Sequence, residues 1–236
     1  MPVVEQELPV GMLSERNLLA AIGWWGNCPK HVDLPITDWA ERLPVTEVMS
    51  TPLVCLPPNA AVDDAARLML DKKIGAVALV RDGRLRGIVT ETDLLQLCTG
   101  EACWQQQKVL EHMTACVFQV PPEELIRAAW QLMREKRIRH LVVIKDDSLQ
   151  GILSDRDLLA GITWGAAGPD GIRDQVRHIM TMRVATIEVE ATLADAAQRM
   201  LDRKIGALSV TDHGRLTGII TETDLLKVLV REISER

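Results

Sequence analysis

Between Ala60 and Lys73 the apolar side chains fall at Val62, Ala65, Ala66, Met69 and Leu70, the spacing that lines one face of a helix. Ala76 to Val80 is a short continuous apolar run bounded by turn residues, which predicts a strand. Asp82-Gly83 then predicts a tight turn, with Arg84 to Val89 returning as the hairpin partner. Upstream, Leu53-Val54-Cys55-Leu56 reads as a strand ended by Pro57-Pro58. The stretch Gly87-Ile88-Val89-Thr90-Glu91-Thr92-Asp93-Leu94-Leu95 closes this unit by turning a strand directly into an apolar-faced helix. The order is strand, helix, strand, strand, helix.

The closing stretch recurs at Gly218-Ile219-Ile220-Thr221-Glu222-Thr223-Asp224-Leu225-Leu226, and more loosely at Gly151 to Leu159 and Gly11 to Leu19. One unit is therefore used four times. The second and fourth copies align without a gap, Met49 on Met180 and Asp93 on Asp224. The third resembles the first, with Gly11 on Gly151, Arg16 on Arg156 and Trp24 on Trp164. Met1 then falls inside the middle strand of the first copy, whose opening strand and helix are not among its residues; a truncated start or a genuinely partial unit both fit. The divisions expected are a partial repeat over 1–23, a linker over 24–45 with a short helix at Asp38 to Leu43, and repeats over 46–104, 109–168 and 176–236.

Two accounts of the repeated junction stay open. Thr90 with Asp93, Ser154 with Asp157 and Thr221 with Asp224 each fit the capping box that satisfies the free amides of a helix start, and capping alone accounts for the letters. A helix start also offers N–H groups and a positive dipole end to an anion, and a carboxylate there can accept from vicinal sugar hydroxyls. The preceding glycines mark a close approach of backbone in either case.

Composition narrows the function. With one Phe and no Tyr, the core is built from Ile, Val, Leu, Met and Ala, with Trp as its large ring. The net charge of −6 argues against nucleic acid as a partner, because that binding draws on Lys and Arg contacts to phosphate. The longest apolar run, Leu18 to Trp25, falls far short of the roughly 20 residues of a membrane helix. No charged-then-apolar leader stands at Met1, and five scattered cysteines fit reduced thiols, so a cytoplasmic protein is expected. Cys28 and His31 are two ligand types without a second pair, weaker evidence for zinc than for a loop, and no metal site is expected. Neither a phosphate loop nor a Ser/His/Asp or Cys/His constellation occurs at coherent spacing, so no enzyme is expected.

The strand, helix, strand, strand, helix order, the openings Val48-Met49-Ser50 and His112-Met113-Thr114, the centres Lys73-Ile74-Gly75-Ala76-Val77 and Arg137-Ile138-Arg139-His140-Leu141, and the closing junctions together resemble the cystathionine-β-synthase-type (CBS) domain. The resemblance covers nearly the whole chain and implies an α/β (α+β type) fold of tandem CBS repeats in pseudo-symmetric pairs that meet through their sheets and often dimerise. It also implies adenosyl ligands (AMP, ADP, ATP or S-adenosylmethionine) rather than a catalytic cofactor. Carried over, the family pattern makes Asp93, Asp157 and Asp224 acceptors of ribose hydroxyls, and Thr90, Ser154 and Thr221 contacts to ribose or phosphate. Arg139 and Arg156 are the expected phosphate forks. Asn17 stands at the acid position of the first repeat, where an amide lacks the charge of a carboxylate.

The resulting expectation is a regulatory sensor of adenine nucleotides that signals to a protein partner or through its own dimer; the alternative is a ligand-free dimerisation scaffold. The third and fourth repeats are expected to form the complete pair, with the better phosphate site on the third. Met49, Met113 and Met180 are expected to fill core gaps, and Cys55 to be buried.

Overall fold

In this computed structural model the described residues are 1–21, 43–100, 102–163 and 174–235. The expected helix at Asp38 to Leu43, and Trp24, Cys28, His31 and Trp164, lie wholly or mainly outside them.

The first repeat contributes β1 (Pro2–Glu5), β2 (Leu8–Met12) and α1 (Glu15–Ala21). A turn of helix, α2 (Val45–Val48), opens the second, which continues with β3 (Cys55–Leu56), α3 (Val62–Lys72), β4 (Ala76–Arg81), β5 (Arg84–Thr90) and α4 (Glu91–Cys98). After α5 (Ala102–Gln106), the third runs α6 (Val109–His112), β6 (Gln119–Val120), α7 (Ile126–Lys136), β7 (His140–Lys145), β8 (Ser148–Ser154) and α8 (Asp155–Thr163). A single 3₁₀ turn at Val176–His178 opens the fourth, followed by β9 (Thr186–Glu188), α9 (Leu193–Arg203), β10 (Ala207–Asp212), β11 (Arg215–Thr221) and α10 (Glu222–Ser234).

Each full repeat carries a three-stranded sheet whose middle strand is parallel to the short first strand and antiparallel to the third. The hairpins turn through two residues of positive φ, Asp82 at 54° with Gly83 at 71° in the second repeat and His213 at 49° with Gly214 at 82° in the fourth. Two positive values match the twist of the flanking strands. The first helix of each repeat stops at a left-handed cation, Lys73, Arg137 or Lys204, whose amide returns to a carbonyl of the last turn.

The chain divides into two compact units that interleave in sequence. One comprises residues 1–4, 10–53 and 118–184 and joins the first and third repeats; the other comprises 5–9, 54–117 and 185–236 and joins the second and fourth. Like is thus grouped with like, while the third and fourth repeats, expected as the complete pair, exchange their openings through Thr114 with Ile219 and Thr181 with Ile152. In the first unit the core forms around Leu19, Ile126, Trp130, Met133, Leu141 and Leu158. In the second it forms around Met69, Leu94, Trp104, Ile187, Met200 and Leu225. Cys55 is exposed, contrary to expectation, because its two-residue strand is a sheet edge.

The opening of each repeat does not stay with its own sheet. Ser50 bridges to Met12 of the first repeat, Thr114 to Ile219 of the fourth and Thr181 to Ile152 of the third. The methionine just before each bridge lies flat on a glycine. A Cβ at Gly11 would stand 2.5 Å from Met49 Sδ, and at Gly218 and Gly151 2.7 Å from the sulfurs of Met113 and Met180. These are the close approaches that the glycines signalled, and Met113 and Met180 also pack against the cores.

Candidate functional site

Each strand-to-helix junction is a capping box. Thr90 N and Oγ1 donate to Asp93 Oδ2 at 2.9 and 2.7 Å, and Asp93 N returns to Thr90 Oγ1 at 3.3 Å. Thr221 donates to Asp224 in the same way at 3.1 and 2.7 Å, and Ser154 N donates to Asp157 Oδ2 at 2.7 Å. Asn17 does the same work with its amide oxygen, accepting from Ser14 N at 2.9 Å and Ser14 Oγ at 2.6 Å. One oxygen of each side chain is therefore committed to the helix start, and any ligand contact falls to the other atom. In Asp157 that atom, Oδ1, accepts from Thr181 Oγ1 at 3.0 Å; in Asn17 the Nδ2 donates to Ser50 Oγ at 3.0 Å. Asp224 Oδ1 accepts from Lys227 Nζ at 2.8 Å. Asp93 is exposed.

The two residues inside each junction cross to the partner repeat of the same unit. In the first unit Arg156 Nε donates to Glu15 Oε1 at 3.2 Å, and Arg16 Nε stands 3.9 Å from Asp155 Oδ2. In the second, Thr92 Oγ1 donates to Glu222 Oε1 at 2.8 Å and Thr223 Oγ1 to Glu91 Oε1 at 3.1 Å. Sequence reasoning missed this reciprocal exchange. Its signal was present, since an acid followed by Arg occurs in the first and third repeats and an acid followed by Thr in the second and fourth. Arg156, expected as a phosphate fork, is here paired with a carboxylate. The box at Thr192 and Asp195, which starts α9, was also missed; its two hydrogen bonds from Thr192 hold the Asp195 carboxyl below its usual range.

Electrostatically the two units differ. His140 stands opposite Ser154 in the β7–β8 register, and Asp155 N donates to Arg139 O at 3.3 Å, so Arg139, His140, Ser154, Arg156 and Asp157 come to one end of this sheet. Burial, with Arg139, Arg156 and Arg16 nearby, pushes the His140 imidazole down to about 3. Burial also raises Asp155, against the pull of Arg139. Three guanidinium groups thus share a neighbourhood with Glu15 and Asp155. In the second unit the positions of Arg139 and His140 are held by Gly75 and Ala76, and by Gly206 and Ala207, with Thr92 and Thr223 in place of arginine. Among the described residues no cluster of three or more metal-ligating side chains occurs, and no helix is long and apolar enough to cross a membrane.

The CBS domain family matches residues 45–100, 109–163 and 176–231, so the chain belongs to the CBS-domain family. Among its relatives is protein MJ1225 of Methanocaldococcus jannaschii, 29% identical over 194 residues that make up 78% of this chain and 69% of that one. The crystal structure of MJ1225, a proposed archaeal homologue of g-AMPK, matches 97% of this chain and 87% of its own with a TM-score of 0.81 and 26% identity. A 33.4 kDa protein of the Thermofilum pendens ribosomal RNA operon is 32% identical over 177 residues, 71% of this chain and 58% of that one. The chain thus spans 69% and 58% of the lengths of these two curated relatives.

Proposed function

We propose that the protein is a regulatory module that captures an adenine nucleotide, or another adenosyl ligand, at its strand-to-helix junctions and passes the change to a protein partner or to its own dimer, without catalysing a reaction. The observation that carries this reading is the third-repeat junction. A helix start, a ribose-type acceptor (Asp157) and the guanidinium groups of Arg139, Arg156 and Arg16 lie together there, with His140 kept neutral among them. A phosphate entering that neighbourhood meets two opposing acids, Glu15 and Asp155, and the gain comes when it takes their place beside a guanidinium. Thr90 with Asp93 and Thr221 with Asp224 are the weaker sites, with hydroxyls and carboxylates but no arginine at the matching positions. The family and the similarity to MJ1225 support a nucleotide sensor over an enzyme, and we place it in the cytoplasm.

A scaffold without ligand is favoured by one observation: the junction acids are already used, Asp157 by Ser154 and Thr181 and Asp224 by Thr221 and Lys227. Titration calorimetry of the full chain with AMP, ADP, ATP and S-adenosylmethionine separates the two. We expect saturable binding of at least one, weakened about tenfold or more by Arg139→Ala and by Asp157→Ala, since a charge-assisted hydrogen bond is worth roughly 1.5 to 3 kcal/mol. Absence of binding by the parent chain makes it the scaffold.

A further inference from the structure

The opening of the third repeat is fastened to the fourth along its whole length. Leu193 N donates to Gln107 O at 3.0 Å, Val109 N to Ala191 O at 2.9 Å and Leu110 N to Val189 O at 3.1 Å, and Thr114 exchanges two hydrogen bonds with Ile219. Within this seat the side chain of His112 is only 9% exposed. The equivalent residues are Val48 in the opening of the second repeat and Ile179 in that of the fourth. Ile179 shows how the position is used: a Cβ at Gly161 would stand 2.5 Å from its Cγ2, so the side chain lies flat on the closing helix of the repeat that receives it. A histidine here occupies a place that elsewhere holds only hydrocarbon.

The surroundings make no provision for a charge on the ring. His112 Nε2 is buried and has no hydrogen-bond partner among the described residues; the mostly exposed Glu111 carboxylate stands 3.8 Å away, beyond hydrogen-bond reach. The other charged groups that face the ring, Asp224, Arg231 and Glu232, all belong to α10. Glu232 already accepts from Gln107 at 2.7 Å, and Asp224 from Thr221 and Lys227, while Arg231 repels a second cation. Burial first, and then Arg231, hold the imidazole below its ordinary value of 6.5 against the pull of the three acids. We propose that the opening of the third repeat is a proton-operated latch, closed while His112 is neutral and released from the fourth repeat when His112 takes up a proton. In the seat the protonated Nε2 is a buried cationic donor without an acceptor; once released it is met by water. The released opening therefore binds the proton more readily, and the seated fraction falls as pH falls below 6.5. Release withdraws Met113 from Gly218 and Thr114 from Ile219, in the strand that leads to Thr221, and it needs no ligand.

Amide hydrogen exchange of the full chain, followed by NMR, tests the latch against His112→Val, which carries the residue of the second repeat. The amides to be read are those of Val109, Leu110, Thr114 and Ile219, and the pH dependence of the exchange chemistry itself is common to both proteins. Between about pH 7.5 and about pH 5.5 we expect exchange in the parent, relative to the variant, to rise about threefold to tenfold, since one imidazole shifts an equilibrium by at most about tenfold per pH unit. A ratio that stays constant with pH overturns the proposal. Titration of the His112 ring resonances in the parent gives a second measure that does not depend on how the variant folds. We expect a midpoint below 6.5, and a midpoint at or above it overturns the proposal as well.

Discussion

At the scale of single residues, Ser209 is fully buried in β10 with an Oγ that finds no partner among the described residues. The same position holds Ala78 and Val142 in the second and third repeats. Ser209→Ala should therefore raise stability by about 1 kcal/mol in chemical denaturation, since the hydroxyl loses its water without a replacement. His140 carries a pH dependence of definite sign. Its folded pKa, about 3, lies below the ordinary value of 6.5, so between these the unfolded chain binds the extra proton and stability falls as pH falls. Arg139, Arg156 and Arg16 stay charged across this window, while Asp155, raised by burial, takes up its proton early in the fold and partly offsets the loss. His140→Gln should flatten the decline below pH 6.5 relative to the parent; parallel curves would remove His140 as its source.

The elements show how one letter acquires different meanings in equivalent places. Gly218 and Gly87 align, both precede Ile, and both stand in the returning strand of a hairpin. Gly218→Ala would press a methyl within 2.7 Å of Met113 Sδ and 2.9 Å of Thr114 O, and the backbone oxygen cannot step aside. We expect a loss of about 1 to 3 kcal/mol from that overpacking and no loss from Gly87→Ala, measured as the difference between the two variants in urea. The helix stops offer a second test. Lys204 ends α9 at φ 54°, a conformation that costs a non-glycine residue free energy. Lys204→Gly should raise the thermal midpoint by relieving about 1 kcal/mol, and an unchanged midpoint would mean that the lysine side chain contributes as much as the strain costs.

On the scale of the whole molecule, the strand, helix, strand, strand, helix grammar was legible because it is written in local terms: apolar spacing at Val62 to Leu70, a turn at Asp82-Gly83, and Ser/Thr three residues before Asp or Asn at each closing helix. So was the family, since three copies of one grammar are far more specific than one. The candidate site was legible only in part. The capping boxes of Thr90 with Asp93, Ser154 with Asp157 and Thr221 with Asp224 could be read because capping is a contact between residues three apart, and Arg139 was singled out because it stands next to a position of the family's motif; the fold sets its carbonyl against Asp155 N. That Arg156 faces Glu15, 141 positions away, and that Glu91 faces Thr223, 132 positions away, depends on which helix starts meet within a compact unit. Local periodicity contains no term for that choice. The grouping of the first repeat with the third and the second with the fourth, and the seating of each opening on another repeat's glycine, were likewise decided by tertiary structure. Secondary structure is selected by contacts a few residues long, whereas these features depend on apolar surface and charge pairs brought together only when the chain has folded.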